Sequence, residues 1–415
     1  MKCLIRWAVP SLLCLAALTG CESRTNGPAV ATKESKWAPA EGAATGSSVP
    51  VPSDLLVEAP GPTPEGMVWV PGGPFTMGTN FRVTPERPNP DRIKEDEYPE
   101  HDVELDGFWM QATPVTNRQF AEFVDMTSFK TFSERVPTDA ELIRSGLDPE
   151  QITPDLYKPT SICFNRNFDP DSLVVGPQNW EYQVWHIVEG ADWRHPEGPN
   201  SNIDDRLDHP VVHVNWEDAE AYCDWAGLRL PTEAEFEFAS RSGGQPVKYP
   251  WGEDLAVDGK EQCNYFQGTF PTNHLNLDGF AVTSPVRSFP PNQLGLYDMA
   301  GNVWEWCSDL YDATYYRRAP KRNPQGPAKS YDPSGGPAEA TQVKHVQRGG
   351  SFMCNTNNCT GYRCGARMRG ETLSSSFHCG FRTVLDGKML DHYRERQAAI
   401  ANWRTDQTGP CQDVK

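Results

Sequence analysis

The segment Arg348-Gly349-Gly350-Ser351-Phe352-Met353-Cys354-Asn355-Thr356-Asn357-Asn358-Cys359-Thr360-Gly361-Tyr362-Arg363-Cys364 carries the most informative pattern in the chain. Cys354 and Cys359 flank an Asn-rich insert and follow the Gly349-Gly350 pair. Glycine and asparagine enter left-handed and turn conformations at little cost, so the segment reads as a tight loop and not as the interior of a helix or strand. Such a loop can bring two thiols close enough for a disulfide or for a two-coordinate metal site. The spacing is not the Cys-x-x-Cys of thioredoxin-like turns, and no second cysteine pair at zinc-finger spacing accompanies it. On the pair alone, a structural disulfide closing a small surface loop is the plainest reading.

Outward from that loop, the N-terminus points to export. Lys2 and Arg6 precede a short apolar run from Trp7 to Leu18, and Leu18-Thr19-Gly20-Cys21 follows. A basic start, a brief apolar stretch and small residues before a cysteine form an export signal, and the run is too short to span a bilayer as a helix. The Leu-Thr-Gly-Cys end resembles a bacterial lipobox, which implies cleavage before Cys21 and lipidation of its thiol. The expected organisation is a signal peptide over 1–20, a lipidated Cys21 with a disordered tether over 21–65, a folded domain over 66–384, and a C-terminal extension over 385–415. The tether is rich in Pro, Ala, Gly, Ser and Thr and has too little apolar surface to offset its ordering entropy.

The chain carries a formal net charge of −18, which disfavours nucleic acid and anionic membrane surfaces and suits bound cations. Membrane attachment is therefore expected through the lipid alone, on the periplasmic side of a bacterial envelope, with the protein a monomer. With 34 glycines, 37 prolines and 13 tryptophans, the composition predicts a loop-rich, irregular α+β fold with many turns. Export permits disulfides. Once Cys21 is lipidated, Cys163, Cys223, Cys263, Cys307, Cys354, Cys359, Cys364, Cys379 and Cys411 remain. That is an odd number, so at least one is free, metal-bound or paired elsewhere.

Met67 to Gly78 reads as two short strands around Pro71-Gly72-Gly73, and Val103 to Met110 as a further strand. Thr116 or Asn117 caps a helix carrying Phe120, Phe123 and Val124. His209 to Trp216 is strand-like through its β-branched run. Helices follow over Glu217–Trp225 and from Thr232, where Glu235 completes a capping box. Met389 to Trp403 suits a terminal helix. His209 and His213 stand four apart, a metal-ligand spacing on a helix, but Pro210, Val211 and Val212 argue for a strand, so both histidines read as structural.

Taken in order, these motifs resemble the formylglycine-generating enzyme (sulfatase-modifying factor) family. They include Met67–Gly78, Phe108-Trp109-Met110, Asn215-Trp216, Arg229–Glu235, Pro250-Trp251-Gly252, Gly301-Asn302-Val303-Trp304-Glu305-Trp306, Arg348-Gly349-Gly350-Ser351 and Gly380-Phe381-Arg382. Trp193–Pro199 and the Cys354/Cys359 pair resemble the oxidases of that family in particular. The resemblance implies a C-type-lectin-like fold. It also implies that Cys354 and Cys359 bind copper(I), activate oxygen, and oxidise a cysteine in a sulfatase Cys-x-Pro-x-Arg segment, unfolded or nascent, to Cα-formylglycine. Soft thiolates suit copper(I), and two-coordinate binding leaves room for a third sulfur.

Within the same resemblance, Ser351 matches an active-site serine, and Trp304 and Tyr362 read as aromatic walls of the substrate cleft. Asn264, Asp278 and the carbonyls of Tyr265 and Phe280 match one Ca2+ site. Asp298, Glu305 and the carbonyls of Gly301 and Val303 match another, with the hard oxygen ligands that calcium takes. Cys223 and Cys364 match disulfide-bonded positions, but their partner positions hold Thr383 and Ser240, so those bridges cannot form in the same way; Cys379, near Thr383, could pair with Cys223, a connectivity that sequence does not fix. A non-catalytic, lectin-like binding or scaffold protein of the same fold is the rival reading. The cysteine pair separates the two.

Overall fold

The computed structural model describes residues 58–84, 87–165, 168–169, 184–334 and 342–407. The leader, Cys21, most of the tether and Cys411 lie outside the described residues. Irregular backbone dominates, as the glycine and proline content predicts. Small sheets and a few short helices punctuate it, an irregular α+β arrangement.

The first two strands, Met67–Val70 and Gly73–Met77, form where expected, but they do not pair with each other. Met67–Val70 pairs antiparallel with Phe108–Gln111, and Gly73–Met77 pairs antiparallel with His101–Leu105. The single strand expected over Val103–Met110 is therefore two strands, broken at Asp106-Gly107. Both segments change partner at the same corner. Gly72 has φ 72°, and a Cβ there would lie 2.5 Å from the Leu105 carbonyl oxygen. Only glycine fits a left-handed residue packed that closely against the crossing chain. Val384–Leu385 adds the third strand beside Phe108–Gln111.

The second sheet holds four strands in the order Met368–Glu371, Lys344–Arg348, Trp304–Leu310 and Cys379–Gly380, the last parallel to its neighbour. Helices Trp216–Ala226 and Glu233–Ser240 pack beside these sheets. The helix starts at Thr116 and Thr232 follow the sequence signals, and Asn215, expected within a strand, caps a third helix. Thr116, Asn215 and Thr232 each accept a backbone N–H from the residue three positions on, and each sits in a reciprocal capping box.

His209–Trp216 is not a strand. His213 adopts φ 59°, which ends the extended run, and the backbone is satisfied by scattered partners. Val211 N donates to Val115 O, and His213 N donates to Ser376 O. His213 is fully buried between Ser161 Oγ and Pro196 O, and His209 Nδ1 meets Thr283 Oγ1. Burial lowers the pKa of each to about 4, so both are neutral scaffold groups as expected. The terminal helix runs Leu390–Gln407 and buries only Ile400. No helix among the described residues is long and apolar enough to cross a membrane.

Candidate active site

The Cys354/Cys359 loop is held at both ends by buried ion pairs. Arg348, at the end of its strand, donates to Glu237 Oε2 at 2.5 Å and to Glu233 Oε1 at 3.3 Å. It also donates to the carbonyl oxygens of Cys364 and Gly365, which closes the loop on itself. Beyond the loop, Arg367 forms a bidentate pair with Glu233 at 2.7 Å to each oxygen. Arg363 pairs bidentately with Glu97 at 2.8 Å and 2.8 Å. The segment carrying Glu97 straps the loop from the far end of the chain: Thr360 Oγ1 donates to Asp91 O, and Arg92 Nε donates to Thr356 O.

Inside this frame the two sulfurs lie 2.7 Å apart. That is shorter than an ordinary thiol contact and longer than a disulfide bond of about 2.04 Å. The loop is not the exposed feature the sequence suggested. Cys354 and Asn355 are each 1% exposed, Ser351 is fully buried, and only Thr356, Asn357 and Asn358 face solvent. The Asn355 and Cys359 backbones exchange hydrogen bonds of 2.8 Å and 3.0 Å. Ser351 N donates to Cys354 Sγ at 3.5 Å, and Ser351 Oγ accepts from Met353 N.

The aromatic residues expected as cleft walls lie against the cysteine pair, on its buried side. Trp304 and Tyr362 are buried in one cluster with Cys354, Cys263, Tyr249, Tyr265 and Cys379, so they form a floor beneath the sulfurs. Gly361 lets that floor approach: a Cβ there would lie 2.4 Å from the Trp304 ring and 2.9 Å from Cys354 Sγ.

The two thiols differ electrostatically. Burial pushes Cys354 well above the ordinary range. Cys359 is drawn down to about 7, first by its hydrogen bond with Cys354 and further by the positive charges of Lys94 and Arg363. The hydrogen bond between the pair favours the thiolate on Cys359. Because the folded pKa is lowered, the thiolate is present above about pH 7 and is lost as pH falls through that value. The alkylation rate of Cys359, followed by mass spectrometry, should therefore reach half its plateau near pH 7. A midpoint near that of a simple thiol would contradict this environment.

Cys223, Cys263, Cys307, Cys364 and Cys379 form no disulfide among the described residues. Where the resemblance implies a bridge from Cys364 to position 240, Ser240 Oγ donates to Cys364 Sγ at 3.2 Å. The proposed substitution of Cys379 for the partner of Cys223 does not occur. Cys379 accepts from Gln347 Nε2 in the Trp304 cluster, whereas Cys223 packs among Phe120, Phe123 and Tyr222. The Trp193–Pro199 motif is structural in its contacts: Trp193 Nε1 donates to Glu134, Arg206 pairs with Glu197, and Pro196 O accepts from the Cys163 thiol.

The side-chain oxygens expected to bind cations are buried or half-buried, and most are already engaged by protein donors. At the first, Asn264 Oδ1 is buried without a partner. The Gln267 amide nitrogen donates to both Tyr265 O and Asp278 Oδ2, so acceptors converge there, and Phe280 N meets Asp278 Oδ1. At the second, Asp298 and Glu305 are both buried and both pushed up by that burial. One guanidinium, Arg382, serves the two. It binds Glu305 bidentately at 2.6 Å and 2.8 Å but reaches only the backbone oxygen of Asp298. Gly301 and Val303 are buried beside them. The donor chemistry suits a divalent cation in each place.

A cavity of about 190 Å³ went unread in the sequence. Phe164, Phe352 and Phe377 line it with Glu197 and Arg206, and it includes none of the expected site residues. Pro196 and Glu197 bring the Trp193–Pro199 motif to its wall, but the other walls come from segments far apart in the chain, which no local pattern brings together.

The family model for the sulfatase-modifying factor enzyme 1-like domain matches residues 52–387. The chain belongs to that family. A formylglycine-generating enzyme from Thermomonospora curvata is 40% identical over 80% of this chain and 97% of its own. One from Bos taurus is 39% identical over 79% of this chain and 78% of its own. A second Bos taurus relative, named an inactive Cα-formylglycine-generating enzyme 2, is 39% identical over 60% of this chain and 71% of its own. Family membership alone therefore does not decide activity.

Proposed function

We propose that this protein is a formylglycine-generating oxidase that converts a cysteine in a Cys-x-Pro-x-Arg segment of sulfatases to Cα-formylglycine, using oxygen. The observation that carries this reading is the Cys354/Cys359 pair, with its sulfurs 2.7 Å apart in a buried frame, in a chain so similar to enzymes of that name. Taking the substrate carbon from thiol to aldehyde removes two electrons, and reducing oxygen to water takes four. An external reductant therefore supplies the other two.

Cys354 and Cys359 would hold copper(I), which when bound supplies oxygen activation. Cys359 presents the more acidic thiol. The Ser351 backbone N–H orients Cys354, and the Trp304 and Tyr362 floor keeps water from the buried side of the pair. Asn264, Tyr265, Asp278 and Phe280 would hold one Ca2+, and Asp298, Gly301, Val303 and Glu305 the other. A lipid on Cys21 would tether a monomeric domain to the periplasmic face of a bacterial membrane.

Co-expression with a sulfatase bearing that segment tests the activity: active sulfatase supports the oxidase, and inactive sulfatase beside soluble, folded partner supports the lectin-like alternative. The cations make a separate prediction. At a hundred times its dissociation constant, each would contribute about 2.7 kcal/mol to stability. Chelator should lower the melting temperature and added Ca2+ should restore it, with Asp278→Asn and Glu305→Gln each reducing the response. Melting indifferent to both treatments would remove Ca2+ from the account.

A further inference from the structure

Asn355 occupies a turn in the sequence but behaves as an anchor in the structure. Its side-chain amide donates to Phe266 O at 3.1 Å and to Gly268 O at 2.8 Å. Its Oδ1 accepts from Asn357 N at 2.7 Å, which fixes the bend between the cysteines. Its backbone exchanges hydrogen bonds with Cys359, and the adjoining Cys354 O accepts from Phe266 N at 2.8 Å. Every polar atom of this residue is thus used, and all of its bonds either close the five-residue turn or tie that turn to residues 266–268.

That second segment is itself braced. Gln267 donates to Asp278 and accepts from the backbone N–H of Leu277, and Gly268–Thr269 pairs antiparallel with Asn273–His274. The hydrogen-bonded path from Asp278 to the cysteine pair therefore passes through Gln267, Gly268 and Asn355.

We infer that Asn355 is the positioning residue of the cysteine pair: it sets the separation and alignment of the two sulfurs by clamping their loop to the 266–268 segment. This rests on the reading of Cys354 and Cys359 as the reactive pair, but it is measurable without copper or substrate. The geometry explains why asparagine is suited to the place. Two carbonyl oxygens converge on one NH2 group, while the opposite oxygen must accept a backbone N–H. Aspartate would match the shape but set a carboxylate against two carbonyls, and serine is too short to reach them.

The test compares wild type with Asn355→Asp, Asn355→Ser and, as a loop control, Asn357→Ala, whose side chain is exposed and whose backbone donor is retained. The full-length protein is equilibrated with glutathione mixtures. The Cys354 and Cys359 thiols form one disulfide while oxidised glutathione accepts two electrons and two protons and becomes two reduced molecules. Alkylation and mass mapping give the equilibrium constant of that pair. A positioning role predicts a fall of roughly tenfold or more for both Asn355 variants, since misplacement by about 1 Å is enough to lose such an advantage. Asn357→Ala should match wild type. Copper(I) affinity, read by chelator competition, should fall in the same order.

Asn355→Ser is the deciding variant, because it adds no charge to a buried place. If it melts cooperatively and its cysteine pair closes as readily as in wild type, the inference is overturned. A wild-type pair that closes readily yet binds no copper(I) would instead refute the copper reading and leave the positioning role standing.

Discussion

Cys354→Ser and Cys359→Ser should each lower formylglycine formation by about three orders of magnitude or more, because the two sulfurs work as one unit and removing either removes the site. Both replacements exchange a soft ligand for a hard one, so copper(I) binding should be lost along with turnover. The two variants should differ in stability. Cys354 is buried against Trp304 and Tyr362, so a hydroxyl there enters an apolar cluster and costs about 1–3 kcal/mol where it finds no partner. Cys359 lies nearer the exposed part of the loop and should cost less. Urea titration of both variants beside the activity assay separates the effects. Equal turnover in wild type and a folded Cys359→Ser would contradict the assignment.

Glu233→Ala should be among the most destabilising single changes in the domain. Glu233 is almost fully buried and meets two guanidinium groups, Arg367 bidentately and Arg348, as well as Tyr316 Oη at 3.1 Å. Its removal strands buried positive charge. Breaking a buried pair by deleting one partner costs about 3–5 kcal/mol, mostly from the uncompensated charge left behind. Arg348 and Arg367 flank the cysteine loop, so the loss should also loosen the site. Chemical denaturation should show the midpoint falling sharply. A Glu233→Gln variant, which keeps shape and one acceptor, should recover part of the loss. A Glu233→Ala protein as stable as wild type would mean that the two arginines find other partners.

Local features were legible in the sequence. Thr116 and Thr232 are helix caps because each places a short oxygen-bearing side chain three residues before a reciprocal partner, and that pattern is complete within four positions; Asn215 caps in the same way but sits in a run that suggested a strand. The cysteine pair was legible for the same reason. Features that depend on distant contacts were not. Glu95-Asp96-Glu97 looks like a solvated acidic run, yet Glu97 is 1% exposed because Arg363, 266 positions away, neutralises it. The β-branched Val211-Val212 suggested a strand, but pairing partners and not propensity determine a sheet, and His213 turns the chain away. Asn355 was read as a turn former. Its larger role as an anchor depends on the carbonyls of Phe266 and Gly268, which only the folded chain brings to it.

The central claim reduces to the chemistry of one substrate cysteine. The soluble domain should be incubated with copper(I), oxygen, a thiol reductant and a peptide containing Cys-x-Pro-x-Arg, and the peptide's mass then measured. The account predicts that the peptide cysteine loses its sulfur and gains an aldehyde oxygen with wild type, and stays unchanged with either Cys354→Ser or Cys359→Ser. An unchanged peptide with folded, copper-supplied wild type, and Cys354 and Cys359 recovered as a disulfide that the reductant does not open, would contradict it.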